Sequence, residues 1–174
     1  MIFVTVGTQL AFDRLIIAVD SWAGAAPGRE VFAQIGPTRL APRHIEYAQF
    51  VPPAECDERM RAATAVVAHA GMGTILTALQ LGKPLLVLPR RAALGEHRND
   101  HQIATAQRFA ELGKVNVALH ESDLPRGLDG LARTPVQPRL DPYAPDAFLA
   151  ELRAFIVGGP LRMPAAPEID RSVA

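Results

Sequence analysis

The residues best suited to chemistry lie between His69 and Thr74, a stretch with two glycines that follows an apolar run and opens a helical pattern. A strand that turns into a helix in this way leaves unpaired N–H groups at the helix start, beside the positive end of the helix dipole. Such a helix start commonly binds phosphate. Glycine suits the turn because a ligand can approach the backbone without a Cβ in the way. The turn Gly71–Thr74 therefore predicts a site for a phosphate-bearing ligand.

Three basic side chains follow the ends of predicted strands near this turn. His69 follows a buried strand, which is compatible with a satisfied core histidine, but its place beside the glycines favours a donor to phosphate. Arg90 and Arg91 follow the apolar run 85–88. Two interpretations of this pair stay open, since it either adds positive charge to the same ligand or forms a solvated pair at the surface.

The polar segment 96–102 carries side chains that bind either metals or sugars. His97 and His101 stand four residues apart with an acid between them, as in some zinc proteases, but no third ligand stands out downstream. Aspartate, histidine, asparagine and glutamine also donate or accept at the range that sugar hydroxyls need. We therefore favour hydrogen bonding to a polyhydroxylated ligand over a metal site. A solvated loop in which Asn99 or Asp100 caps the next helix is the remaining alternative.

Short apolar runs alternate with helical patterns along the chain, which predicts an α/β fold: a Rossmann-like parallel sheet with helices on both faces. The predicted strands are 2–6, 31–35, 45–51, 65–68, 85–88 and 115–118. The predicted helices are 15–23, 54–63, 74–81, 100–112, one opened by Ser122 as its N-cap, and 148–156. Ligands of such sheets bind outside the carboxyl ends of the strands, so the loops 7–9, 71–74 and 90–102 should meet at one edge.

Known nucleotide motifs fit the glycine turn only in part. Gly71 and Gly73 match the start of a dinucleotide fingerprint, but Leu76 stands where the third glycine belongs, and the turn follows the fourth predicted strand. The Walker A motif fails, because Lys83 is followed by Pro84 and lacks the required spacing. A dinucleotide-dependent oxidoreductase therefore stays an alternative that the pattern disfavours.

The composition narrows the class of protein. Eighteen basic residues balance eighteen acidic ones, which gives no support to nucleic-acid binding through bulk charge. The lone cysteine, Cys56, fits a reducing compartment, and we interpret it as a bystander thiol. No stretch approaches the roughly twenty apolar residues that cross a bilayer, and the first residues resemble a strand rather than a secretory leader. We expect one domain over 1–157 and a disordered or partner-ordered tail over 158–174.

In combination, the segments 69–76, 82–85 and 96–102 resemble the donor-binding C-terminal half of GT-B glycosyltransferases, and among these most of all family 28. The segments 3–9 and 12–16 sharpen the likeness toward the stand-alone small catalytic subunits of two-component transferases, which act in exopolysaccharide and dolichol-linked N-acetylglucosamine assembly. The resemblance runs to about residue 119. It implies a single GT-B donor-binding domain, a UDP-sugar as substrate, and hexosyl transfer with inversion to a lipid-linked saccharide.

The resemblance also implies a set of nucleotide-sugar-binding residues. They are Gly7, Thr8, Gln9, Phe50, Val51, His69, Gly71, Met72, Gly73, Thr74, Thr77, Glu96, His97, Asp100 and Gln102. In this scheme the diphosphate lies at the turn 71–74 with His69 assisting, and the loop 7–9 lies near the phosphates and the acceptor cleft. No metal or other cofactor is needed, because helix N-termini and side chains neutralise the leaving diphosphate.

The same resemblance implies which residues contact the sugar and which contact the nucleoside. Asp100 and Gln102 would hydrogen-bond the sugar hydroxyls, with Glu96 and His97 shaping that side of the pocket. The strand end Phe50–Val51 would face the uracil.

The chain departs from the family pattern at position 77, and it lacks an assignable general base. Thr77 stands where many relatives carry a glutamate that binds the ribose hydroxyls. No general base can be assigned in this chain, so we expect a membrane-anchored partner subunit to supply the acceptor site. The chain would then be cytoplasmic and peripheral on the inner face of the membrane, with 148–156 and the tail as candidates for partner binding. A non-catalytic accessory subunit of such a transferase is the alternative within the family.

Overall fold

The computed structural model describes residues 1–131, 133–134 and 139–159. These residues contain a six-stranded sheet in which every pairing is parallel. The strands are β1 Ile2–Thr5, β2 Val31–Gln34, β3 Glu46–Ala48, β4 Ala65–His69, β5 Leu85–Leu88 and β6 Asn116–Val117, in the order β3-β2-β1-β4-β5-β6. The strand order reverses between β1 and β4, and this reversal opens a crevice outside their carboxyl ends.

Helices cover both faces of this sheet. They are α1 Asp13–Gly24, α2 Pro53–Ala62, α3 Met72–Gln80, α4 His101–Glu111 and α5 Leu124–Leu131, with short 3-10 turns at Ala92–Leu94 and Glu121–Asp123. Neighbouring strand residues point to opposite faces. Val4 therefore joins a core with Leu15 and Leu128 of α1 and α5, whereas Phe3 joins a second core with Ile75 of α3. The predicted Rossmann-like α/β fold is confirmed.

Two predicted boundaries are wrong for local reasons. Ser122 does not cap a helix: His120 begins a 3-10 turn, its backbone N–H donates to the Asp123 carboxylate at 3.1 Å, and α5 follows from Leu124. β3 stops at Ala48 rather than continuing to Val51, because the Val51 N–H donates to the side-chain oxygen of Gln34 at 3.1 Å. The side chain of Gln34, at the end of β2, thus takes the place of a backbone hydrogen bond between β2 and β3 at this point.

A second compact unit begins at Asp141. Its described part contains α6 Asp146–Ile156, which confirms the predicted final helix and buries none of its residues. Residues 133–134 and 139–145 contain neither helix nor strand, and 135–138 lie outside the described residues. The predicted tail lies outside them too, beyond residue 159. Among the described helices, none combines the length and apolar character that crossing a bilayer requires.

Candidate functional site

A cavity of about 680 Å³ opens at the carboxyl ends of the strands, where the sheet order reverses. Its walls include parts of all three loops that the strand pattern predicts to meet there. The predicted site residues that line it are Gly7, Thr8, Gln9, Val51, His69, Gly71, Gly73, Thr74, Thr77, His97 and Gln102. The predicted residues that do not line it are Phe50, Met72, Glu96 and Asp100.

The N-terminus of α3 supplies hydrogen-bond donors to this cavity. Gly71 is the N-cap residue in extended conformation, and no described side chain caps the helix. The first intrahelical bond runs from Ile75 N–H to the Gly71 carbonyl at 3.0 Å, so the N–H groups of 72–74 have no partner within the helix. Together with the helix dipole, these N–H groups suit an anion without any side-chain contribution.

The two glycines of this turn serve different purposes. A Cβ at Gly71 would overlap Nε2 of His69, so the glycine leaves room for the histidine ring. A Cβ at Gly73 would meet no atom within 4 Å. Packing of the protein therefore explains the glycine at 71, whereas the one at 73 leaves open space at a helix start that lines the cavity.

His69 lies between the ends of β1 and β4 with its ring against Gly7 and Gly71. Burial, and next the positive charge of Arg90, lower its pKa to about 4, so the ring is neutral at pH 7. A neutral imidazole donates from one nitrogen and accepts at the other. Its enclosed Nδ1 makes no well-formed hydrogen bond to the described residues, although the backbone of Thr5 lies close enough to oppose part of this pKa shift by hydrogen bonding. The role of His69 as a donor to phosphate therefore stays a prediction, beside the interpretation of a core histidine.

Arg90 is 2% exposed and reaches into the loop that follows β1. Its guanidinium donates to the carbonyls of Val6 at 2.8 Å, Leu10 at 2.7 Å and Ala11 at 2.6 Å, and it stacks over the ring of Phe12. No described carboxylate accepts a hydrogen bond from it. Arg90 is thus not part of a solvated pair but a buried cation that lines the cavity.

Arg91, the other member of the pair, does not line the cavity. Its guanidinium donates to the Leu119 carbonyl at 2.8 Å, near the start of α5. The two arginines therefore have separate roles.

Glu96 anchors the polar loop from outside the cavity. Its two oxygens accept from Arg14 Nε at 2.8 Å and Arg14 Nη2 at 2.9 Å, and one of them also accepts from the Arg91 N–H at 2.9 Å. The Arg14 and Glu96 side chains are only 11% and 12% exposed. This bidentate pair joins the start of α1 to the loop after β5 and so fixes the edge of the site.

Asp100 and Gln102 both bond to backbone. Asp100 Oδ1 accepts from the Ala92 N–H at 2.8 Å, and Gln102 Oε1 accepts from the Arg90 N–H at 3.2 Å. Gln102 is 4% exposed but lines the cavity, so its amide nitrogen is left for a ligand. The sugar contacts assigned to these two residues stay predictions.

Two further histidines line the cavity at the start of α4. The rings of His97 and His101 meet edge to face with centroids 4.5 Å apart, and His101 Nδ1 bonds to Asn99 Oδ1. Burial, and then the charges of His101 and Arg90, lower the pKa of His97. In residues 1–131, 133–134 and 139–159, no group of three metal-binding side chains lies close enough to hold an ion.

One wall of the cavity comes from α2, which the sequence interpretation did not include. Cys56, Asp57 and Met60 line it, with Val51 and Pro53 just before them. The spacing of 56, 57 and 60 marks one face of a helix, but only the strand order places that face beside the crevice. Cys56 is half-buried, and burial raises the pKa of its thiol, in keeping with an unreactive side chain.

Gln34 is a second group that the sequence interpretation missed. It is 4% exposed at the last position of β2, donates to the Gly7 carbonyl at 3.2 Å, and accepts from the Val51 N–H. The sequence carried one signal for this residue, since a polar side chain at the end of an apolar strand is unusual. Thr5, Val6, Leu10 and Arg90 complete the part of the lining that the predicted set did not contain.

The family model of the glycosyltransferase family 28 C-terminal domain matches residues 1–148 of the chain. The chain belongs to this family. The resemblance drawn from the loops 69–76, 82–85 and 96–102 is thereby confirmed. No curated protein matches the chain by sequence.

Solved structures share the fold of this family 28 domain. ALG13, studied by NMR in solution, matches with a TM-score of 0.56 and 20% identity over 87% of this chain and 93% of that one. The glycotransferase of kitacinnamycin matches with 0.59 and 23% identity over 77% of this chain and 35% of that one. MurG of Acinetobacter baumannii matches with a TM-score of 0.53 and 20% identity over 75% of this chain and 40% of that one. The domain thus spans about a third of the kitacinnamycin enzyme, and these likenesses show the fold alone.

We expect Glu96→Ala to destabilise the family 28 domain by about 3 kcal/mol, because it leaves Arg14 largely buried without its bidentate partner. Glu121→Ala is the matched control: it removes the other carboxylate on Arg14, bonded at 2.9 Å, but that carboxylate is 53% exposed. An exposed partner should cost less than about 1 kcal/mol. Urea unfolding measures both, and equal losses would contradict a structural role for the Arg14–Glu96 pair.

The pKa of His69 makes stability depend on pH. Because the ring takes up a proton near pH 6.5 when unfolded and near pH 4 when folded, its contribution is complete above pH 6.5 and is lost as the pH falls toward 4. The loss should be at most about 3 kcal/mol. The difference in unfolding free energy between wild type and His69→Asn should therefore change over this window, and parallel pH curves would refute a buried neutral ring.

Proposed function

We propose that this family 28 domain is the UDP-sugar-binding subunit of an inverting hexosyltransferase. The observation that carries the proposal is the uncapped start of α3, where Gly73 leaves open space and backbone donors line a cavity beside a buried cation. A diphosphate matches such a site in charge and in hydrogen bonding. The polar segment after β5 would then face the sugar.

The chemistry follows from where charge develops. As the acceptor oxygen bonds to the anomeric carbon, the bond from that carbon to the diphosphate breaks, and negative charge grows on the leaving group. The N–H groups of α3, the guanidinium of Arg90 and a proton on neutral His69 would stabilise that charge. These groups are held in place before the reaction, so no metal or other cofactor is required in this proposal.

The attacking hydroxyl must lose its proton to a base within hydrogen-bond reach. We propose that the base and the acceptor site come from a membrane-associated partner subunit, and that the acceptor is a lipid-linked saccharide in exopolysaccharide biosynthesis. The domain would then work on the cytoplasmic face of the membrane through this partner. The resemblance of the segments 3–9 and 12–16 to small subunits of two-component transferases supports this assignment. The almost complete coverage of ALG13, at 93%, supports it too.

A non-catalytic accessory subunit of such a transferase is the second candidate. Thr77 favours it, because its hydroxyl donates to the Gly73 carbonyl at 2.9 Å and is only partly available to a nucleotide. The two candidates differ in donor binding. A catalytic subunit binds UDP alone or with its partner, whereas an accessory subunit binds none in either state.

Calorimetric titration of the full chain with UDP, a UDP-sugar and NADH tests the proposal. We expect saturable binding of UDP and of the UDP-sugar, lost in Gly73→Trp because the indole would fill the open space at the helix start. Binding of NADH without UDP would support the oxidoreductase alternative and overturn the proposal. Transfer of label from a UDP-sugar to a lipid-linked acceptor that requires both this chain and the partner subunit, together with UDP binding by this chain, would identify it as the catalytic rather than the accessory subunit.

We expect Gly73→Ala to stabilise the protein while it weakens UDP binding. Alanine is favoured over glycine in a helix by about 0.5–1 kcal/mol, and its Cβ meets no protein atom here. Gly130→Ala on α5 is the matched control, because a Cβ there also meets nothing within 4 Å and Gly130 does not line the cavity. Thermal unfolding and UDP titration measure the two effects. Unchanged UDP affinity in Gly73→Ala would contradict a ligand at this helix start.

A further inference from the structure

One acid stands out in the wall of the cavity. Among the described residues that line it, Asp57 is the only one with a carboxylate. A site for a diphosphate gains nothing from a negative side chain, so Asp57 calls for a separate explanation. It lies on α2 with Cys56 and Met60, in the wall that also contains Val51 and Pro53, whereas the phosphate donors belong to α3 and the loops after β1 and β5.

The position along α3 indicates which part of a nucleotide would meet this wall. Gly73 and Thr74 belong to the anion site, and Thr77 lies one turn later on the same helix, about 5.4 Å along its axis. All three line the cavity. In a nucleoside diphosphate the ribose directly follows the phosphates, so the ribose would lie near Thr77, ahead of a base among the apolar residues Val51 and Met60.

The hydrogen-bond partners in this region are acceptors rather than donors. The Thr77 hydroxyl already donates to the Gly73 carbonyl at 2.9 Å, so it is left to accept. Asp57 Oδ2 accepts from Arg61 at 3.1 and 3.0 Å, whereas Oδ1 has no hydrogen bond to any described residue. The 2′- and 3′-hydroxyls of ribose are two neighbouring donors, and a carboxylate can accept from both.

We propose that Asp57 binds the ribose hydroxyls of the donor nucleotide and sets a preference for ribonucleotides over 2′-deoxyribonucleotides. Arg61 holds the carboxylate by one oxygen and leaves the other free for the sugar. The Asp57 side chain is 48% exposed, so a ribose that enters the cavity can reach its carboxylate. This inference rests on the proposed function, because it concerns the nucleotide part of the same ligand.

The test compares UDP with 2′-deoxy-UDP, which differ only in the hydroxyl at issue. Titration of the full-length wild type should give roughly tenfold tighter binding of UDP, the range of one hydrogen bond to a charged group. Asp57→Asn should weaken UDP binding by about tenfold and bring the ratio of the two affinities close to one. Glu58→Gln is the matched control, since it removes the next charge on α2 at an exposed position outside the cavity and should leave the ratio unchanged.

The outcomes separate this inference from the proposed function. Equal binding of the two nucleotides by the wild type overturns the role of Asp57 but leaves the proposed function standing. Tighter UDP binding by Asp57→Asn also overturns it, because Asp57 would then only repel the phosphates. Absence of any UDP binding, with or without the partner subunit, overturns both. The affinity ratio is informative even if Asp57→Asn is less stable, because a loss of folded protein lowers both affinities alike.

Discussion

The guanidinium of Arg90 connects the strand ends on which the rest of the site depends. It belongs to the loop after β5, yet it donates to three carbonyls in the segment that follows β1, and its own backbone N–H is held by Gln102 at the start of α4. Backbone carbonyls satisfy its hydrogen bonds but do not neutralise its charge. The cation therefore shapes the loop beside Gly7 and at the same time leaves positive potential for an anion in the cavity.

The absence of a carboxylate among the hydrogen-bond partners of Arg90 in the described residues helps to explain why the neighbouring His69 is neutral at pH 7. A carboxylate bonded to Arg90 would have cancelled the field that, after burial, lowers the pKa of His69. The available carboxylate, Glu96, is instead taken by Arg14 and the Arg91 N–H. One ion pair thus lies at the edge of the site, where it stabilises the loop. Arg90, which no carboxylate of the described residues neutralises, lies inside. That separation keeps the cavity positive without adding a second charge on His69.

Much of the fold follows from local patterns, whereas the site depends on contacts between distant parts of the chain. β5 has the predicted bounds because a run of four apolar residues between Pro84 and Pro89 leaves little choice. The glycine turn that opens α3 is equally local. Glu96 is predicted in the pocket but anchors the loop from outside it. The sequence could not show this, because its partner Arg14 is 82 residues away and nothing in the intervening sequence indicates the pair. The α2 wall with Asp57 required the strand order, since a charged helix with three inward residues is otherwise an ordinary surface helix.

The two glycines of the turn have different structural roles. Gly71 is required by the protein itself, because the ring of His69 occupies the space of its side chain. Gly73 meets no such constraint and carries the conformational cost of glycine in a helix. Its place in the cavity wall at the start of α3 is what connects it to the proposed ligand. The same reasoning extends to the cavity. Its backbone donors and its buried cation favour an anionic ligand, and the carboxylate of Asp57 belongs to the separate wall formed by α2. A site arranged in this way can hold and stabilise a leaving diphosphate, whereas an attacking hydroxyl needs a base that we assign to a second subunit.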